Sequence, residues 1–285
     1  MELIRFDRKS YRLSLYDQDQ HDATPGDNKC DCWPLNAAAI APTLPNAVLV
    51  SNGLFYGYDR GPGSPPNGWG IHVGPNVIGG TVRYNVGTVR YAFGVQGEEF
   101  KVMLQPSKAE LAKKFDHAAV GAQLLVANRK AMTLWPFPQS GDPPLRTPVP
   151  TQAGQAGHIP GVDFWKTSRV SIGWDAEAFY LLFVVEPDSE VNSKGYPVQA
   201  DGGWTLADVQ QFWLAKGVDY AINSDGGIVA QRWLRMNGAT TFVPPKWIGG
   251  SLPMALKPGV QAPQGGGTLL YWVVSSKTPP PSGSR

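Results

Sequence analysis

Three polar side chains, far apart in the sequence, could do chemistry together: Asn52, Arg169 and Asp225. Asp225 follows a short apolar stretch, Tyr220 to Ile222, and is followed at once by Gly226 and Gly227. A carboxylate at a strand end, beside two residues without side chains, lets a ligand approach the backbone closely. The same Asp-Gly pair is also an ordinary turn signal. Arg169 precedes a predicted strand. Its planar fork can clamp a phosphoryl group, or serve as a common ion-pair residue. Asn52 lies in SNGLFY, just after a strand candidate, and an amide that both donates and accepts suits a sugar hydroxyl or a neighbouring carboxylate. An amide, a guanidinium and a carboxylate can together recognise a sugar phosphodiester. The arginine offsets phosphate charge, and the carboxylate orients water, coordinates a cation or acts at the glycosidic centre. Glycoside hydrolysis often uses two carboxyl groups at a set separation, and Asp175, Asp201 and Glu186 are the candidates for a second. Asn223, Gly53, Gly226, Gly227, Asp201 and Trp204 are the substrate-facing candidates around the trio. Trp69, Trp135 and Trp204 offer aromatic faces that either stack on sugar rings or fill a core.

These residues need elements to hold them. The stretch Gly202 to Gly227 reads as a loop, a capped helix, a short strand and an acidic glycine turn. Thr205 suits an N-cap, with Asp208 at the N3 position. Leu206, Val209 and Trp213 share one helical face, and Gly217 ends the helix at a left-handed position. A second helix is expected from Ser107, with Glu110 three residues on. Strands are expected at YRLSLY, at Ala47 to Val50, in a meander over Ile71 to Val102, at Gly121 to Ala127, at Arg169 to Gly173 and in EAFYLLFVVE. A late strand, Gly267 to Ser276, is expected to close a sheet edge. The segments Arg60 to Gly70 and Trp135 to Gly161 carry too many prolines and glycines for regular structure. Strands outnumber helices. The expected class is α+β, with a mixed or antiparallel sheet core, a few covering helices and long Pro/Gly-rich loops. The expected organisation is an attached strand-and-loop region over 1–34, one main domain over 35–277, and a disordered tail over 278–285.

Composition narrows the function classes. With 25 basic against 23 acidic residues the net charge is +2, and no basic stripe speaks for nucleic acid. The four histidines are scattered and no HExxH or Cys/His set exists, so nothing suggests a zinc site. The two cysteines, in CDC, are too close for a redox CxxC or an unstrained disulfide. The charged start MELIRFDRKS lacks the apolar run of a signal peptide, and no apolar stretch is long enough to span a membrane. As it stands the chain reads as cytoplasmic, with an envelope or secreted location open if a leader was removed.

The ordered motifs resemble the phosphodiester glycosidase family, which includes bacterial relatives labelled as exopolysaccharide biosynthesis proteins. Its early Asn-Gly and phenylalanine segment is matched by Asn52, Gly53 and Phe55. Its Arg-x-x-x-Gly segment is matched by Arg169 and Gly173, and its Gly-x-Thr-Leu helix start by Gly203, Thr205 and Leu206. Its apolar-Asn-x-Asp-Gly-Gly segment is matched by Ile222, Asn223, Asp225, Gly226 and Gly227. The resemblance runs over roughly residues 35 to 235. It implies hydrolysis of a sugar-1-phosphodiester or related phosphorylated glycan, with Asn52, Arg169 and Asp225 as the catalytic group. Three positions depart from it: Ile228 and Val229 stand where relatives carry glycine and serine, and Ser224 where an apolar residue is usual. These departures keep open a catalytically reduced carbohydrate-binding or envelope polysaccharide-assembly protein. The expected partner is a carbohydrate or sugar-phosphate ligand. No cofactor is required by the sequence, a divalent cation is compatible with it, and the acid and base roles and the oligomeric state stay open.

Overall fold

The structure, a computed structural model, describes residues 1–21, 29–30, 35–54, 56–59, 69–72, 74–84, 91–134, 166–185, 203–245 and 268–278. In chain order its strands are β1 (Glu2–Asp7), β2 (Tyr11–Asp17), β3 (Lys29–Cys30), β4 (Ala47–Asn52), β5 (Tyr56–Asp59), β6 (Trp69–His72), β7 (Asn76–Ile78), β8 (Thr81–Arg83) and β9 (Tyr91–Gln96). There follow β10 (Glu99–Leu104), β11 (His117–Ala127), β12 (Lys130–Ala131), β13 (Arg169–Trp174), β14 (Ala178–Val184), β15 (Tyr220–Asn223), β16 (Arg232–Met236), β17 (Ala239–Val243) and β18 (Leu270–Ser276). The α-helices are α1 (Ala37–Ile40), α2 (Lys108–Lys114) and α3 (Leu206–Lys216). None of the described helices is long and apolar enough to cross a membrane.

The architecture is α+β around a dominant antiparallel core. A ten-stranded sheet runs β1-β14-β13-β15-β11-β7-β8, with β9, β10 and β12 attached through β11 and β9. A five-stranded sheet runs β17-β16-β4-β18-β2, and a small third sheet runs β3-β6-β5. The main core lies between the two larger sheets. Ile172, Trp174, Phe179, Leu181 and Ile222 of one meet Leu13, Leu15, Leu49 and Trp272 of the other. Alternate residues of β14, Tyr180, Leu182 and Val184, face the other way, onto Val209 and Trp213 of α3. Strand β14 therefore has no wet face, which is why AFYLLFV is apolar without alternation. Helix α1 covers the outer side of the five-stranded sheet through Ala37 and Ile40, packed with Val50 and Tyr271.

Local signals are realised in detail. Thr205 and Asp208 form a reciprocal capping box on α3, and Gly217 closes it at φ 77°. Ser107 and Glu110 do the same for α2. Non-local pairing departs from the expectation in two places. The run over Ile71 to Val102 is not one meander, because β7 and β9 both pair with β11. Strand β11 is eleven residues long, and its register shift between Val120 and Ala122 falls at Gly121, where φ is 109°. Strand β18 does not close an edge. It lies between β2 and β4, with Trp272 fully buried, so its apolar run marks a centre rather than a rim.

One strand glycine sets the fit of α3. A Cβ on Gly173 would stand 2.7 Å from the Trp213 ring, whose Nε1 donates to Ser171 Oγ at 2.7 Å. Gly173→Ala is expected to cost about 1–3 kcal/mol by overpacking. Urea unfolding should show that cost shrinking when Trp213→Phe is combined with it, because the two changes share one contact.

Candidate functional site

The end of the molecule where β4 and β15 finish and β13 and β18 begin is a meeting of main chains. The Asp225 amide donates to the Gly53 carbonyl at 2.9 Å, and the Gly53 amide donates to the Leu270 carbonyl at 2.7 Å. The Gly227 amide donates to the Ser168 carbonyl at 2.7 Å, and the Ser224 amide to Val170 at 2.8 Å. Such contacts need residues without side chains. A Cβ on Gly53 would lie 2.8 Å from the Leu270 carbonyl oxygen. A Cβ on Gly226 would collide with the Ser168 carbonyl, and one on Gly203 with the Thr167 carbonyl. Gly203 also sits at φ 82°, where a side chain would be strained. Thr167 and Trp204 are bridged by a pair of backbone hydrogen bonds, so the lead-in to α3 is stitched to the segment before Arg169.

Asp225 is the carboxylate held in this meeting. It is 6% exposed, and burial pushes its pKa up to about 7 against the opposing pull of the Gly226 amide, which donates to Oδ1 at 2.8 Å. Near neutral pH it is thus poised between acid and base, as a proton-transfer group should be. Asn52 is fully buried. Its Nδ2 donates to the Asp225 carbonyl at 2.6 Å, and its Oδ1 accepts the Gln231 amide at 3.0 Å. The amide side chain therefore fixes the backbone on both sides of the glycine turn, rather than touching the carboxylate itself. Arg169 is also buried, and its Nε donates to the Trp204 carbonyl at 2.9 Å. Its backbone borders the site, with its Cα 3.3 Å from where a Gly226 Cβ would be. Its charge adds to the set of interactions, led by the Thr205 amide, that hold Asp208 below the usual carboxylate range.

The structure thus brings the main chains of Asn52, Gly53, Arg169, Gly203, Trp204, Asp225, Gly226 and Gly227 into one cluster. Asn223 ends the strand beside it, and its buried Oδ1 has no hydrogen-bond partner among the described residues. Trp204 is partly buried against α3, with its ring 5.7 Å from that of Phe212. Asp175 is not a second carboxyl group here. It sits in the turn at the far end of β13, where it accepts the Glu177 and Ala178 amides and the Tyr180 hydroxyl. Phe55, Trp135, Glu186, Asp201 and the 135–161 loop lie outside the described residues, as do the side chains of Trp69 and Ile228.

Two contributors were not among the candidate site residues of the sequence. Gln231, fully buried, donates its amide to Asn52 and accepts the Ala37 amide at 2.8 Å on Oε1. It ties the site to the start of α1. Ser224 donates its hydroxyl to the Gly53 carbonyl and accepts from Trp272 Nε1 at 3.1 Å. The departure at Ser224 is therefore a clamp on the same seam.

A model of the phosphodiester glycosidase family matches residues 45–252. The chain belongs to the phosphodiester glycosidase family. Asn52, Arg169 and Asp225 all fall inside the matched region. Among solved structures, the chain is similar to the catalytic domain of zebrafish N-acetylglucosamine-1-phosphodiester alpha-N-acetylglucosaminidase, auto-inhibited by its pro-peptide. Identity there is 15%, with 96% of this chain and 83% of that one covered, at a TM-score of 0.58. A hypothetical protein of Synechocystis gives 10% identity over 96% of this chain and 59% of that one, at a TM-score of 0.49. No curated protein matches the chain.

Burial of Asp225 has a consequence for stability. Its folded pKa lies above the unfolded value of about 3.9. The folded state is therefore favoured when the group is protonated, and that advantage is lost as pH rises towards about 7. Measured by urea unfolding, the stability of the native chain relative to Asp225→Asn should fall steadily between about pH 4 and 7 and then level off. A difference that stays flat across this range would mean that the carboxyl is solvated.

Proposed function

We propose that the chain hydrolyses a sugar-1-phosphodiester, with water replacing the phosphate-linked group at the anomeric carbon. The observation that carries this is Asp225, a buried carboxyl with a pKa of about 7, seated within the family-matched segment. Asp225 is the proton-transfer group at the glycosidic centre. Arg169 supplies the positive charge for the phosphate, from a guanidinium whose Nε is fixed on the Trp204 carbonyl. Asn52 positions Asp225 through its main chain. Gly53, Gly226, Gly227 and Asn223 shape the pocket, and Asn223 Oδ1 is an acceptor for a sugar hydroxyl. The name of the zebrafish enzyme, a phosphodiester α-N-acetylglucosaminidase, is consistent with this class of substrate.

A binding protein of reduced activity is the second reading. The observation that favours it is Val229, a buried branched apolar residue where the family resemblance implies a serine. The two readings separate on release of free sugar from a panel of sugar-1-phosphodiesters. The hydrolase reading predicts turnover, with an inflection in kcat/KM near pH 7. Asp225→Asn should lower kcat by roughly 10²-fold or more, and Arg169→Lys should weaken kcat/KM for the charged substrate. Binding without turnover, unchanged in Asp225→Asn, would establish the binding reading instead.

A further inference from the structure

A second buried polar cluster lies two strands away from Asn52 and belongs to no step above. Its centre is His72, the last residue of β6 and 2% exposed. His72 Nε2 is 3.3 Å from Asp17 Oδ1 and 3.5 Å from Asp19 Oδ2, and both aspartates are fully buried. Neither contact is a well-directed hydrogen bond, and His72 Nδ1 and Asp19 Oδ1 have no hydrogen-bond partner among the described residues. Around this pair, Tyr84 stacks on the imidazole with ring centroids 4.1 Å apart and donates its hydroxyl to Asp19 at 2.5 Å. Asn76 Nδ2 donates to Asp17 at 3.0 Å, and Arg83 stands 3.5 Å from Asp17 and donates to the Asp19 carbonyl at 3.0 Å. These are the groups facing the imidazole from β2, the turn after it, β7, β8 and the end of β8.

Charge decides what such a cluster can be. Among the described residues, two buried carboxylates are balanced by Arg83 together with a protonated His72. If the imidazole is neutral, one negative charge is left in a site closed to water, which is costly. The position of the cluster gives this balance a mechanical meaning. The small sheet β3-β6-β5 pairs with no described strand of the two larger sheets. Its strand β5 begins just beyond Asn52 and Gly53, and its strand β6 ends in His72. Asp17 pairs with Leu270, the residue whose carbonyl receives the Gly53 amide. We infer that His72, as an imidazolium held between Asp17 and Asp19, is a protonation-controlled latch fastening the paired strands β5 and β6 to the body of the molecule beside the Asn52–Gly53 segment. This goes beyond the proposed hydrolysis and does not depend on it.

The direction of the pH effect follows from the surroundings. Burial alone would lower the His72 pKa, but the two aspartates outweigh it and raise the value. The latch is then fully engaged below the ordinary histidine value of about 6.5, and releases as pH rises through the raised one. Asp19 works in the same direction, since burial and then the neighbouring Asp17 hold its pKa up despite His72 and Tyr84. For Asp17, burial is outweighed by His72, the Asp19 amide and Arg83, so its value is lowered and its contribution is lost only in acid.

Backbone hydrogen exchange of the full chain, followed from pH 5.5 to 9 and corrected for intrinsic base catalysis, tests this. Protection of Tyr56–Asp59 and Trp69–His72 should fall several-fold in a step above pH 6.5, while Ala47–Asn52 keeps its protection. In His72→Gln the step should vanish. In Asp19→Asn, which needs less positive charge, it should move to lower pH, and this holds as a test even if His72→Gln folds poorly. Uniform protection across the range, a step that survives in His72→Gln, or loss of protection on adding EDTA at every pH would each overturn the latch. The last result would mean that a cation, not a proton, holds the carboxylates.

Discussion

Everything at the candidate site rests on the exclusion of water from one carboxyl group by close main-chain contact. Asp225 is buried, and the backbone of its glycine turn lies directly on Gly53 on one side and on Ser168 on the other. Contacts of that kind tolerate no Cβ, so Gly53, Gly203 and Gly226 are structural conditions for this main-chain meeting and not lining added to it. Burial then does what the proposed proton-transfer role needs. It disfavours the charged form and moves the group into the range where it can give or take a proton near neutrality.

The two-sheet stack exists in a form that delivers this. Strands β4 and β18 belong to the five-stranded sheet, and β13 and β15 to the ten-stranded one. Asn52, Gly53 and Leu270 thus arrive from one sheet, and Arg169, Asn223 and Asp225 from the other. Trp272 spans the gap, with its ring in the shared core and its Nε1 on Ser224. Packing of the core and alignment of the site are therefore coupled. A change that shifts one sheet on the other moves Gly53 away from Asp225. The α3 helix adds a third constraint, since its capped start carries Trp204, whose carbonyl fixes Arg169.

How much of this was legible in the sequence divides along a physical line. The caps at Thr205 and Ser107, the left-handed Gly217 and the two-sided apolar strand β14 are local signals, written within a few residues of the feature they set. The ordered motifs around Asn52, Arg169 and Asp225 were legible as a set through their resemblance to the phosphodiester glycosidase family, whose model matches residues 45–252. Pairing was not. That β18 lies inside its sheet, and that β11 takes both β7 and β9, depends on partners far away in the chain. Asp175 looked as suitable a second carboxyl as any, yet it is spent on the turn between β13 and β14. Gln231 and the convergence of Asp17, Asp19 and His72 had no sequence signal at all, because a buried polar group is recognisable only once its partners are beside it.

The most direct measurement is a carbon-13 NMR titration of the Asp225 side-chain carboxyl in the folded chain, assigned by comparison with Asp225→Asn. A midpoint near 7 is expected for the buried carboxyl. A midpoint close to the ordinary aspartate value of about 3.9 would contradict it, because the carboxyl would then be hydrated and the main-chain meeting around it would have no hold on its proton.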